Sequence, residues 1–106
     1  GLDYHEWAHV VQHQDFESFL ANTDFPRIFA LTTKASDYHH EVTFNDQDCL
    51  LFGPETRGLP EAALSHQRTT NIRIPMKAES RSLNLSNTVA IVLYHALDQL
   101  GYPQMV

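Results

Sequence analysis

The stretch "LLFGPETRGLP", residues 50–60, decides how this chain folds. Leu50, Leu51 and Phe52 have the content of a core strand, and they run straight into Gly53 and Pro54, with Gly58 and Pro60 following around the charged Glu55 and Arg57. Glycine and proline end strands, and that alone accounts for their presence. In open α/β sheets, however, the C-terminal ends of the strands are also where backbone amides meet ligands. The flanking segments bear on which reading holds.

Upstream, "RIFALTT" (27–33) carries the β-branched and aromatic residues of a buried strand. Before it, Asp15 is placed to cap a short helix over "FESFLAN" (16–22), which Pro26 closes off, and "AHVVQHQ" (8–14) reads as a further strand. A polar stretch, "KASDYHHEVTFNDQD" (34–48), leads to the short run "CLLFG" (49–53). Downstream, Pro60 suits the start of a helix over "EAALSHQ" (61–67), since proline is tolerated in a first turn. "NIRIPM" (71–76) is a brief strand stopped by Pro75, and "KAESRSLNLSN" (77–87) is a polar loop. "TVAIVLYHALDQL" (88–100) is the clearest helix, with Ser86 or Asn87 as N-cap, Gly101 after its end and Pro103 beyond. Short apolar strands alternating with helices predict one α/β domain over residues 1–106, built on a parallel sheet.

Composition fits that class. The 106 residues are 42% hydrophobic and 19% charged, an ordinary globular balance. No apolar run approaches the roughly 18 residues of a membrane span, and "GLDYHEWAHV" lacks the basic start and apolar stretch of a signal peptide. The single cysteine, Cys49, has no internal partner, which predicts a reducing, cytoplasmic setting. The net charge of −6 argues against a strong stand-alone nucleic-acid binder, although Arg57, Lys77 and Arg81 could form a local basic patch.

Two constellations point elsewhere. His5, His9 and His13 stand at i, i+4 and i+8. On one helix they would align as metal ligands; on a strand, which Val10 and Val11 favour, they would not converge. We expect no metal. His39 and His40 lie in the polar stretch and are expected to be solvated. Cys49, at the entry of an apolar run, is expected to be a buried, inert thiol rather than a nucleophile. In the last helix, Val89, Val92, Leu93, Ala96, Leu97 and Leu100 form one apolar stripe, while Ile91 and Tyr94 lie partly off it. A helix apolar nearly all round is buried on more than one side. The second side is either another subunit or the centre of a monomer's core, and the pattern fits both.

"FGPETRGLP" (52–60), "IRIPM" (72–76) and "SRSLNLSNTVAIVLYHAL" (80–97) follow one another in that order. Together with "GLDYHEWA" (1–8) and "FALTTKA" (29–35), they resemble the SPOUT class of RNA ribose methyltransferases, nearest to the small tRNA wobble-nucleotide 2′-O-methyltransferase group. The resemblance implies a parallel-sheet SPOUT fold with a C-terminal trefoil knot. It implies S-adenosyl-L-methionine as cofactor, tRNA as partner, and a homodimer formed through the last helix, from Val89 to Leu100. Carried over, the cofactor site is Leu31 and Thr32; Gly53, Pro54, Glu55 and Gly58; Ile74, Pro75 and Met76; and Ser82, Leu83 and Asn84. Glycines there would let backbone approach the ligand closely, and the prolines would stiffen the loops. Ser82 and Asn84 resemble the family's polar residues beside the reacting ribose and phosphate, so they are the catalytic candidates. The family's base, an arginine, lies in an amino-terminal segment that precedes the part resembled here. The chain therefore looks N-terminally shortened, and slow methyl transfer is expected of these residues alone. The alternative is a non-catalytic knotted module that binds the cofactor without using it.

Overall fold

The computed structural model describes residues 15–22, 24–53, 58–76, 84–103 and 105; the segment 8–14 expected as a strand, and His5, His9 and His13, lie outside them. Four strands, β1 (Ile28–Leu31), β2 (Asp37–Tyr38), β3 (Cys49–Leu51) and β4 (Thr69–Arg73), form one sheet in the order β2-β4-β1-β3, with every pairing parallel. The expected α/β architecture with a parallel sheet is what forms. Among the described residues, three α-helices accompany the strands: α1 (Phe16–Asn22), α2 (Glu61–Leu64) and α3 (Leu85–Gln99).

β1 is central because it is the most apolar run, and its Ile28, Phe29 and Ala30 are buried. Side chains alternate across a sheet, so Phe29 and Leu31 share a face with Ile72 of β4 and Leu50 of β3. On that face Phe29, Ile72 and Phe44 pack with Ala96 of α3, and Leu31, Val42 and Leu50 close around them. The opposite face carries Ala30 and Asn71, and Asn71 Nδ2 donates to the Leu64 carbonyl at the end of α2 (3.1 Å).

α1 begins as expected, its Ser18 amide donating to the Asp15 carboxylate at 2.7 Å. That bond to the charged form holds the Asp15 carboxyl below its ordinary value. α2 is shorter than expected. Ser65 terminates it, its amide and hydroxyl both turning back to the Glu61 carbonyl (3.0 and 2.8 Å). β4 starts two residues earlier than "NIRIPM" suggests, because Thr69 and Thr70 pair with Ile28 and Phe29, and it stops at Arg73, before Ile74 and Pro75. β2 and the 3-10 turn His39–Glu41 arise inside the stretch expected to be irregular. Two exposed residues at a sheet edge leave no hydrophobic alternation to detect.

α3 corrects one further expectation. Its N-cap is Asn84, not Ser86 or Asn87: Asn84 is extended, its side chain accepts the Asn87 amide (2.9 Å) and its carbonyl accepts the Thr88 amide (3.0 Å). Ser86 and Asn87 therefore lie in the first turn. The C-terminal end follows the expectation closely. Gly101 takes φ +80°, the Tyr102 amide reaches the Leu97 carbonyl (2.9 Å) and the Gly101 amide reaches Asp98 (3.2 Å), which is a Schellman termination.

Candidate functional site at the C-terminal edge of the sheet

The strand register brings three chain segments to one edge. Ala30 pairs with Leu51 and with Asn71, so two residues further along each strand Thr32, Gly53 and Arg73 stand level, with Ile74 to Met76 just beyond. β1 has β3 on one side and β4 on the other, and the connections leaving β1 and β3 both run toward the β2 side of the sheet, each passing one neighbouring strand. The carboxyl ends of the strands are where open α/β sheets hold their ligands.

The individual residues there do different things. Leu31 packs onto the core cluster, so its side chain belongs to the hydrophobic interior. The Thr32 amide donates to the Ile72 carbonyl (3.0 Å), and its hydroxyl accepts the Lys34 amide (3.1 Å). Both groups are thus spent on holding the β1 exit in place. Gly53 is required for a reason sharper than closeness to a ligand: a Cβ there would lie 2.5 Å from the Gly58 carbonyl carbon and 2.6 Å from the Leu59 nitrogen. The loop closes on itself, backbone against backbone. Gly58 is needed for its conformation, φ +66°, and a Cβ there would meet nothing within 4 Å. Ile74 and Met76 are half-buried and Pro75 is exposed. Among the described residues, no hydrogen bond engages the N–H of Gly53, Ile74 or Met76. Pro54, Glu55, Ser82 and Leu83 lie outside the described residues, as do Arg57, Lys77 and Arg81. Asn84 is exposed at the head of α3, with its Oδ1 occupied by the helix cap.

Chemically, this edge offers backbone donors beside an apolar wall, and none of the described site residues ionises near neutral pH. That suits holding a flat, polar-rimmed ligand rather than moving a proton. Elsewhere, Cys49 is half-buried, and burial together with the neighbouring Asp48 pushes its thiol up to about 11, so it is inert at neutral pH as expected. No group of three potential metal ligands occurs among the described residues. The pair His39–His40 departs from expectation: His40 is exposed, but His39 is 8% exposed and packs against His95 of α3. Sequence reading missed it because burial follows from the 3-10 turn, which folds one imidazole of the pair inward.

Residues 1–94 match the SpoU rRNA Methylase family. The chain belongs to that family. Curated relatives of this methylase chain include a tRNA (cytidine(34)-2′-O)-methyltransferase of Photorhabdus asymbiotica, 53% identical over 96% of this chain and 67% of its own length. One with the same name from Escherichia coli K12 is 51% identical over 100% of this chain and 68% of its own. The chain thus spans about two thirds of the length of these curated relatives. Among solved structures, one that concerns 2-OH methylation of C/U34 on tRNA is 39% identical with a TM-score of 0.78, matching 94% of this chain and 62% of that one. An RNA 2′-O ribose methyltransferase superposes with a TM-score of 0.63 at 35% identity, over 71% of this chain and 29% of its own. Parallel-sheet architecture and family therefore agree.

Proposed function

We propose that this SpoU-family chain is the cofactor-binding part of an S-adenosyl-L-methionine-dependent tRNA 2′-O-methyltransferase acting on the wobble nucleotide, as its relatives' names describe for them. The observation that carries the reading is the carboxyl edge of the parallel sheet, where the backbone N–H groups of Gly53, Ile74 and Met76 have no hydrogen-bond partner among the described residues. Those residues fit an adenosyl group: amide donors for ring nitrogens, apolar Ile74 and Met76 for its faces, and the Gly53 backbone packed directly against that of Gly58 and Leu59. When bound, the cofactor would supply an electrophilic methyl group. The chain's part is to bind and orient. Ile74 and Met76 would exclude water, while Ser82 and Asn84 would hydrogen-bond the acceptor ribose and its phosphate. The trefoil knot belongs to this proposal, as do a cytoplasmic location and tRNA as partner.

We also propose a homodimer through α3. Val92, Ala96 and Leu97 are buried within this chain, whereas Ile91 is 40% exposed and the Tyr94 and Tyr102 rings lie 6.3 Å apart at the same end of the helix. Ile91→Asp would therefore leave the chain's own core intact and separate the subunits, which sedimentation would report as a fall to monomer mass. A variant that stays dimeric would overturn this interface.

The functional test has two parts. Calorimetry with S-adenosylmethionine and with its demethylated product should give saturable binding on folded protein; no heat from either would overturn the cofactor reading. Labelled cofactor with bulk tRNA should then place the label on the 2′-oxygen of the wobble nucleotide. None of the described cofactor-site residues is basic, the Arg73 guanidinium at the same edge is held by the Thr33 carbonyl, and a positioned base is worth about 10²–10⁴-fold in rate, so we expect slow transfer from these residues alone. Binding with no label even at high protein concentration would leave the non-catalytic cofactor-binding module as the reading.

A further inference from the structure

Behind the sheet edge, the segment after β2 is fastened to α3 by an arrangement that depends on neutral imidazoles. The Gln99 side chain works like a short piece of neighbouring strand: its Oε1 accepts the Phe44 amide (2.7 Å), and its Nε2 donates to the Val42 carbonyl (2.7 Å). Those two contacts fix which end of the amide is oxygen and which is nitrogen, because the reverse orientation would set donor against donor at Phe44. The same Nε2 lies 3.1 Å from His95 Nε2. With Gln99 fixed as the donor, His95 Nε2 must be the unprotonated, accepting nitrogen. His39 stacks edge-on against His95 (centroids 5.2 Å, 80°) and against His40 (5.5 Å, 80°), and Phe44 closes the group against His95 (6.3 Å).

We propose that His39, His40, His95 and Gln99 form an acid-opened clasp, which releases residues 42–44 from α3 when the imidazoles protonate. A protonated His95 would point an N–H at the Gln99 amide nitrogen, and Gln99 could not turn to receive it without giving up both backbone contacts. His39, in contact with both His40 and His95, would also be repelled by them once the rings are charged.

Among the described residues the surroundings supply no compensating anion. From its own segment His39 faces His40, with Asp37 and Glu41 exposed nearby; from α3 it faces His95, with Asp98 exposed; from β4 it meets the Arg73 carbonyl. The Arg73 guanidinium is turned away to the Thr33 carbonyl (2.9 Å). Among the described residues no carboxylate is within ion-pair distance of any of these rings. His39 Nδ1 has no hydrogen-bond partner. Burial, then His95 and His40, lower the pKa of His39, although the Arg73 carbonyl opposes the shift. The unfolded chain therefore binds the proton first, and the stabilisation, complete above the ordinary value of 6.5, declines as pH falls below it.

Amide hydrogen exchange tests this, with rates corrected for the intrinsic effect of pH. The Phe44 amide, held by Gln99, is the probe, and the Thr32 amide, held by the Ile72 carbonyl inside the sheet, is the control. Between pH about 7.5 and about 5.5 the protection of Phe44 should fall about tenfold, the worth of one hydrogen bond, while Thr32 keeps its protection. His95→Gln, whose side-chain oxygen can still accept from Gln99, should abolish the pH response. Should that variant fail to fold, the wild-type Phe44 amide shift and the His95 ring proton should titrate with one midpoint. Unchanged protection at Phe44 would overturn the proposal. So would an equal loss at Phe44 and Thr32, because that reports global unfolding, and so would separate midpoints.

Discussion

At the N-terminal end of the strands, side chains close the sheet; at the C-terminal end, several backbone donors have no partner among the described residues. Arg27, Asp48 and Arg68 immediately precede β1, β3 and β4. Arg27 grips Asp48 with two hydrogen bonds (2.7 and 2.6 Å), reaches the Thr43 carbonyl (3.0 Å) and lies over the Phe29 ring at 4.9 Å. Arg68 donates to the Phe25 carbonyl (2.8 Å) while its own carbonyl accepts the Ile28 amide (3.0 Å). At the other end stand two glycines, one in the left-handed region, a proline, and the amides of Gly53, Ile74 and Met76, which no hydrogen bond engages among the described residues. One end spends its polar groups on stability, and in the proposed reading the amides at the other end serve a ligand. Changes at the two ends should therefore separate stability from binding.

The largest effect is expected from Gly53→Val. The added carbon would press into the Gly58–Leu59 backbone, and overpacking of this kind costs about 1–3 kcal/mol. Calorimetry should show cofactor affinity falling by roughly two orders of magnitude, about 2.7 kcal/mol. Amide shifts of Ile28 and Thr69, at the closed end, should not move. Affinity within a few-fold of the wild type would break the comparison.

Arg27→Ala should do the reverse. It leaves Asp48, whose side chain is 5% exposed, without its charged partner. Because Arg27 is 42% exposed, the loss should fall near the lower end of the range for charged hydrogen bonds, about 1.5 kcal/mol by urea unfolding, with cofactor affinity unchanged. Burial alone would raise the Asp48 carboxyl, but Arg27 and the Asn45 amide hold it below its ordinary value of 3.8. The folded state thus binds that proton later than the unfolded one. The stabilisation is complete above 3.8 and is lost as pH falls through the folded value, in the wild type but not in the variant.

A smaller change sharpens the assignment at the head of α3. Asn84→Ala should cost about 1 kcal/mol as a lost N-cap, whereas Asn87→Ala should stay within about 0.5 kcal/mol because only its backbone amide is used. Asn84→Asp keeps the cap, so any loss of methyl transfer in that variant would isolate a role at the ribose. The smallest effect is at Cys49. Alkylation should be slow at neutral pH and rise about tenfold per pH unit towards about 11, so rapid labelling at pH 7 would contradict its burial.

Much of this was legible in the sequence, for reasons that differ along the chain. "RIFALTT" and "TVAIVLYHALDQL" declare themselves because their apolar spacing is long and the C-terminal stop, Gly101, is forced by φ. The family resemblance rests on loop motifs, and the strand register then puts Thr32, Gly53 and Ile74 at one edge. β2 and the buried His39 were not legible, because two exposed residues carry no period and the burial of one imidazole depends on a helix 56 positions away at His95. The α3 cap was misplaced because "NLSN" contains three residues able to cap, and only the backbone conformation of Asn84 selects among them. The reason for Gly53 was likewise hidden, since a loop closing on itself and a loop opening to a ligand call for the same residue.

The most direct test of the central claim is an amide-resolved titration of the folded protein with S-adenosylmethionine. The account predicts that the amides of Gly53, Ile74 and Met76 shift on binding while those of Ile28, Cys49 and Thr69 stay fixed. Saturable binding that moves the second set and spares the first would contradict it.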